Sequence, residues 1–90
     1  MKIEGQHKAR KGLIKVSVDE ECGTIQKAII SGDFFLYPED SLWFLEKELV
    51  GAKLTGKDLL MRINDFYKKK RVFSPGVTPE DFVEALLKAT

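Results

Sequence analysis

The stretch Gly12-Leu13-Ile14-Lys15-Val16-Ser17-Val18-Asp19-Glu20-Glu21-Cys22-Gly23-Thr24-Ile25-Gln26-Lys27-Ala28-Ile29-Ile30-Ser31-Gly32-Asp33-Phe34-Phe35 decides the fold. Its first half alternates strictly, so Ile14, Val16 and Val18 share one face of a strand. The second half, Thr24 to Leu36, is rich in Ile and Phe and reads as the returning strand. Between them lies Glu21-Cys22-Gly23. A two-residue turn at Cys22-Gly23 would set Val18 opposite Lys27 and Ile14 opposite Ser31. A three-residue loop with Gly23 in the left-handed conformation shifts the pairing by one. Val16 then faces Ala28, Ile14 faces Ile30, and the same face continues through Gly32 to Phe34. A one-residue slip exchanges the buried and exposed sets, so the apolar match predicts the three-residue loop.

Outward from this hairpin, Ile3 to Arg10 is a polar stretch with little apolar signal, suited to an edge strand. Everything after residue 37 reads as helix. Pro38, Glu39 and Asp40 suit a first helical turn, where a missing N–H costs nothing and acids meet the positive dipole end. That helix is predicted to run to about Val50 and stop at Gly51, with Leu42, Leu45 and Leu49 on its inner stripe. Thr55 and Thr78 are each followed three residues later by an aspartate, Asp58 and Asp81. Both read as N-caps, with Leu54 and Val77 placed to pack against Leu59 and Phe82. The apolar positions Leu59, Ile63, Phe66 and Tyr67 recur at helical spacing, as do Phe82, Ala85, Leu86 and Ala89. Ser74-Pro75-Gly76 separates the two helices as a turn. The order β-β-β-α-α-α predicts an α+β fold, a small antiparallel sheet covered by helices, as one domain over residues 1–90.

The chain has 90 residues, too few for a catalytic and a regulatory domain together. Fifteen Lys and Arg against fourteen Asp and Glu leave a net charge of +1, which gives no global field for nucleic acid or an anionic membrane. The single cysteine, Cys22, excludes an internal disulfide and a cysteine-based metal framework. Apolar runs such as Leu42-Trp43-Phe44-Leu45 fall far short of a membrane span. No apolar stretch follows Met1-Lys2, so a cytoplasmic location is expected.

Chemistry-bearing constellations are sparse. His7 and Cys22 could form a Cys–His pair only across separate elements, and the acids at Asp19-Glu20-Glu21 and Glu39-Asp40 read as a solvated hairpin end and a helix start. Phosphate-loop patterns are absent. No catalytic residue and no metal ligand set is nominated. Two basic clusters, Lys8-Arg10-Lys11 and Lys68-Lys69-Lys70-Arg71, keep open a small nucleic-acid-binding module as the alternative. The most singular segment is Ile30-Ser31-Gly32-Asp33-Phe34-Phe35. Gly and Asp interrupting an apolar strand suggest a bulge or a close backbone approach. Adjacent strand residues point to opposite faces, so Phe34 and Phe35 cannot both enter one core. Trp43 and Phe44 raise the same problem on a helix. Ser31, Gly32, Asp33, Phe34, Phe35, Trp43 and Phe44 are therefore the candidates for a partner interface or a structural motif.

The words Gly12-Leu-Ile-Lys-Val-Ser-Val, Gly23-Thr-Ile, Ile30-Ser-Gly-Asp-Phe-Phe35 and Gly76-Val-Thr-Pro-Glu-Asp-Phe82 resemble the C-terminal accessory domain of lipoate–protein ligases. The resemblance extends through Pro38-Glu39, Leu45-Glu46 and Leu49-Val50-Gly51, nearly the whole chain. In that family a large domain binds lipoate and ATP, forms lipoyl-AMP and transfers lipoyl to a carrier lysine. The small domain assists activation, and in two-chain members it is a separate subunit. The resemblance thus implies an accessory subunit in a heterodimer with a catalytic large subunit, reaching the lipoyl carrier domain only through the complex. It also implies that lipoate, ATP and Mg belong to the complex and none to this chain alone.

Overall fold

The computed structural model describes residues 1–90 and contains three strands followed by three helices, in the order β1 (Lys2–Ala9), β2 (Gly12–Glu21), β3 (Thr24–Gly32), α1 (Ser41–Glu48), α2 (Gly56–Lys70) and α3 (Pro79–Leu87). The sheet is antiparallel in the order β1-β2-β3. On its covered face stand Ile14, Val16, Val18, Ala28 and Ile30, all buried. Helix α3 lies on β1 and β2, α1 lies against β3, and α2 packs on both of those helices. The opposite sheet face carries Lys2, Glu4, Gln6, Lys15, Ser17 and Lys27 and is open. No helix is long and apolar enough to cross a membrane.

The hairpin register corrects the loop reading. Glu21 pairs with Thr24 and Glu20 with Ile25, so the connection is the two-residue turn Cys22-Gly23. Cys22 has φ 50° and Gly23 φ 77°, the doubly positive geometry of a type I′ hairpin turn. That turn alone would leave the apolar residues out of phase. The pairing shifts between Asp19 and Glu20, with Asp19 opposite Lys27 and Gln26 left as the extra residue of a bulge. Beyond it Val18 faces Ala28 and Val16 faces Ile30. The apolar phase is therefore restored by a bulge inside β3, and Ile14 meets Gly32 instead of Ile30.

A second correction concerns where elements end. β3 stops at Gly32, not Leu36, and α1 begins at Ser41, after Pro38, Glu39 and Asp40. The Tyr37–Pro38 peptide is cis, and the Ser41 N–H donates to the Pro38 carbonyl at 2.9 Å. Leu45 on α1 and Leu49 at its C-cap are fully buried, while Leu42 is only half-buried. Buried Leu59, Ile63 and Phe66 form the α2 stripe, and Phe82, Ala85 and Leu86 that of α3. Arg62 on α2 donates to the carbonyls of Glu48 at 3.2 Å and Gly51 at 3.4 Å, satisfying acceptors that the end of α1 would otherwise leave unpaired.

Helix starts follow the cap reading. The Asp58 N–H donates to Thr55 Oγ1 at 3.3 Å. At α3 the arrangement is reciprocal: the Asp81 N–H donates to Thr78 Oγ1 at 3.3 Å and the Thr78 N–H to Asp81 Oδ2 at 2.8 Å. Val77 and Phe82 are both buried beside this box. Thr78→Ala is expected to destabilise the chain by about 1 kcal/mol, since the Asp81 N–H loses its side-chain acceptor and keeps only the Thr78 carbonyl at 3.0 Å. The readout is a lower denaturant midpoint at unchanged slope; an unmoved midpoint would deny the cap any contribution.

Candidate functional site

Gly32 is the last residue of β3, and its φ of +144° turns the chain away from the sheet. Asp33 then closes back on the start of β2. Its N–H donates to the Leu13 carbonyl at 3.2 Å, and its Oδ1 accepts from the Leu13 N–H. Asp33 is exposed rather than buried, so its carboxylate terminates the β2–β3 ladder at the surface. Asp33→Asn keeps an oxygen at that position and is expected to melt close to the parent. Asp33→Ala should lose about 1 kcal/mol, roughly 4–8 °C in melting temperature for a domain this size. Equal melting of the alanine variant would show the bond to be dispensable.

Past Asp33, side chains alternate between core and solvent. Phe34 is half-buried and meets Phe82 edge-on, with centroids 5.5 Å apart and planes at 81°. Phe35 is 67% exposed and Leu36 is buried. Tyr37 then forms an isolated antiparallel bridge with Phe73, each N–H donating to the other's carbonyl at 2.8 Å. Their rings stack at 6.3 Å with a 27° interplanar angle, and Phe73 is 64% exposed. Phe34, Phe35, Leu36, Tyr37, Glu39 and Leu42 line an open concavity of about 340 Å³. Trp43, 54% exposed, follows Leu42 on α1 and meets Phe44 edge-on at 5.1 Å. Lys47 Nζ sits 3.5 Å from the Trp43 ring centroid, and Lys70 Nζ 5.0 Å from that of Phe44.

The seven candidate residues are thus divided among several surroundings. Ser31 stands on the open sheet face beside Glu4, Gln6, Lys15, Ser17 and Ile29. Gly32 ends β3 and Asp33 fastens that end to Leu13, Phe34 packs half-buried against the core, and Phe35 faces solvent beside Tyr37. Trp43 and Phe44 form a neighbouring aromatic pair on α1. Sequence reasoning missed Phe73, hidden between the basic run and the Ser74-Pro75-Gly76 turn. The one available signal was a pair of apolar residues, Val72-Phe73, in an otherwise polar connection.

The loop carrying Phe73 is fixed from beneath. Ser74 Oγ donates to the Val77 carbonyl at 2.7 Å and lies 2.9 Å from the Tyr67 hydroxyl. Burial pushes the Tyr67 phenol above its ordinary pKa, the Ser74 bond opposes the shift, and nearby Asp81 adds to it. The neighbouring Asp81 carboxyl behaves oppositely. Burial would raise its pKa, but the Thr78 N–H, His7 and the Thr78 hydroxyl together hold it below the ordinary aspartate value. His7 Nε2 lies 3.0 Å from Asp81 Oδ1, and His7 Nδ1 lies 3.0 Å from Lys88 Nζ. With Nε2–H donating to the carboxylate, Nδ1 accepts from the lysine. His7 is consequently a clasp between β1 and α3. Cys22 occupies the turn beyond the far end of β2, so no Cys–His pair forms.

The basic clusters are partly engaged within the chain. Lys69 pairs with Asp65 at 3.7 Å, Lys70 lies over Phe44, and Arg71 adopts the left-handed cap of α2 with φ 52°. The Lys11 N–H donates to the Gly76 carbonyl at 3.1 Å.

Comparison with known proteins gives a consistent result. The family described as bacterial lipoate protein ligase C-terminus matches residues 1–86. Lipoate-protein ligase A subunit 2 of Thermoplasma acidophilum is 47% identical over 79 residues, spanning 88% of this chain and 81% of that protein. A solved chain from the T. acidophilum lipoylation system, a bi-partite lipoate protein ligase with its E2 lipoyl domain, superposes with a TM-score of 0.86. Its identity is 44%, covering 96% of this chain and 94% of that one.

Proposed function

From the premise that this chain belongs to the lipoate–protein ligase C-terminal family, as a counterpart of the small subunit of two-chain ligases, we propose that it forms a heterodimer with a catalytic large subunit and assists the ATP-dependent activation of lipoate to lipoyl-AMP. The observation that supports this reading is likeness along nearly the full length of both chains to a component of a bi-partite ligase. The nucleic-acid alternative has no comparable support, and the family match stands against it.

An accessory chain can promote adenylation without donating a reacting group. It need only bind one conformation of the large subunit better than another. Stabilising a form in which lipoate and ATP are enclosed and aligned brings the carboxylate toward the α-phosphate and removes competing water. A tenfold gain in rate takes only about 1.4 kcal/mol of such preference. Lipoate, ATP and Mg belong to the large subunit in this reading. No three His, Cys, Asp or Glu side chains of this chain converge to hold a cation. The lipoyl carrier domain is reached through the complex.

The test is reconstitution. The large subunit from the same source is assayed for lipoate-dependent pyrophosphate release with and without this chain. Release should rise at least tenfold on adding the chain and saturate with it, whereas the chain alone should form no acyl-adenylate. A large subunit equally active alone would overturn the accessory role, and adenylate formation by the isolated chain would overturn the division of labour.

A further inference from the structure

We propose that the shelf formed by Phe35, Tyr37 and Phe73 is the surface on which the catalytic large subunit docks, an assignment that rests on the accessory-subunit reading. Three observations carry it.

The first is area. Phe35 is 67%, Phe73 64% and Tyr37 47% exposed. An aromatic side chain offers about 150–250 Å², so these three leave on the order of 300 Å² of apolar surface in water. That reaches the size of the largest patch on an ordinary monomer and is more than a third of what one partner contributes to a standard interface. The open sheet face offers no equivalent: Ile29, 47% exposed, stands among polar residues there.

The second is preorganisation. Tyr37 and Phe73 are locked by paired 2.8 Å backbone bonds, and the Phe73 loop is braced by Ser74 on Tyr67. Leu36 is buried between exposed Phe35 and Tyr37, anchoring the backbone that presents them. Rings already held in place lose little freedom on binding, which favours affinity.

The third is charge. The helix end leading to Phe73 carries Lys68, Lys69, Lys70 and Arg71, and Lys47 stands over Trp43. Glu39 is the one acid lining the concavity. The complementary face is therefore apolar at its centre with carboxylates at its rim. Such an arrangement steers encounter and sets orientation more than it adds raw affinity.

The test uses the full chain and its large subunit, with affinity measured by calorimetry and oligomeric state by light scattering. Phe35→Ala and Phe73→Ala should each weaken association by about 10- to 100-fold, the range of interface hot spots, while melting like the parent. Their rings are exposed and their backbone bonds unchanged; should Phe73→Ala lose structure, Phe35→Ala alone carries the comparison. Ile29→Asp on the open sheet face should bind as the parent does. If the parent fails to bind the large subunit, the accessory reading falls and the proposal with it. If the parent binds, both phenylalanine variants bind equally well and only Ile29→Asp is impaired, the accessory reading stands and the shelf is wrong. Self-association of the parent that Phe35→Ala abolishes, with no loss of large-subunit binding, would make the shelf a contact between copies and also overturn the proposal.

Discussion

Gly5→Ala should cost this chain about 3 kcal/mol or more and lower its melting temperature by on the order of 15 °C. Gly5 lies on the covered face of β1, opposite Val16. A Cβ there would lie 2.6 Å from the Ala85 carbonyl oxygen, 2.6 Å from the Ala89 nitrogen and 2.8 Å from the Ala89 Cα. All three are backbone atoms, so no rotamer change relieves the overlap, and the C-terminal end of α3 would have to lift from the sheet. That movement would loosen the His7–Asp81 contact and the paired bonds between Glu4 and Thr90, at 3.3 and 3.0 Å. A domain of this length has a total stability of roughly 5–13 kcal/mol, so the loss is a large share of it. The check is a thermal melt followed by circular dichroism. A variant melting within about 2 °C of the parent would mean that α3 does not rest on β1 at this distance.

Gly5 also illustrates what could be read from the chain and what could not. A glycine within a strand signals a bulge or a close approach, but nothing local says which element approaches. The helix that does so begins 74 residues later, at Pro79. Local chemistry was legible wherever partners sit within a few residues. Thr55 with Asp58, and Thr78 with Asp81, placed two helix starts, because an oxygen acceptor and its N–H donor are three residues apart. The hairpin was legible in phase but not in mechanism. Alternation at Ile14, Val16 and Val18 dictates which side of β3 must face the core, yet a longer loop and a short turn followed by a bulge satisfy that demand equally. The choice made by the chain, with Gln26 as the extra residue, leaves no composition signal. The start of α1 was misplaced because Pro-Glu-Asp has the composition of a helical first turn, and here it precedes the helix instead.

The candidate site was less legible than the fold, for the same physical reason. Phe35 stands out because its neighbour Phe34 claims the core, a consequence of alternation visible in the sequence. Phe73 reaches the same surface only through a bridge between residues 36 positions apart, Tyr37 and Phe73, and no local pattern encodes that pairing. Glu46 is a comparable case. Its carboxylate accepts the Ile30 N–H at 2.7 Å across the edge of β3, covering a strand edge that would otherwise remain open. Spacing places Glu46 on α1 but cannot say that a strand lies beneath it.

Gly32→Ala is expected to have the other large effect, about 2–6 kcal/mol, and to separate the folding role of the Ser-Gly-Asp-Phe-Phe segment from its surface role. Two costs combine at this residue. Its φ of +144° lies where side chains are rarely found, a strain of about 1–3 kcal/mol. A Cβ would also collide with the Leu13 carbonyl oxygen and come within 3.0 Å of Phe34 Cε1, adding an overpacking cost of about 1–3 kcal/mol. The Leu13 carbonyl is the acceptor for the Asp33 N–H, so relief of the collision breaks the ladder closure that sends residues 33–37 toward Phe73. Gly32→Ala should therefore lower both the melting temperature and the affinity for the large subunit, and cooling should recover part of the binding as the folded fraction rises. Phe35→Ala, by contrast, should lower affinity at constant stability. Should Gly32→Ala melt like the parent, the close approach to Leu13 is not a constraint on this fold. Should it remain fully folded and lose binding, Gly32 would be a contact residue of the interface instead of the residue that aims it.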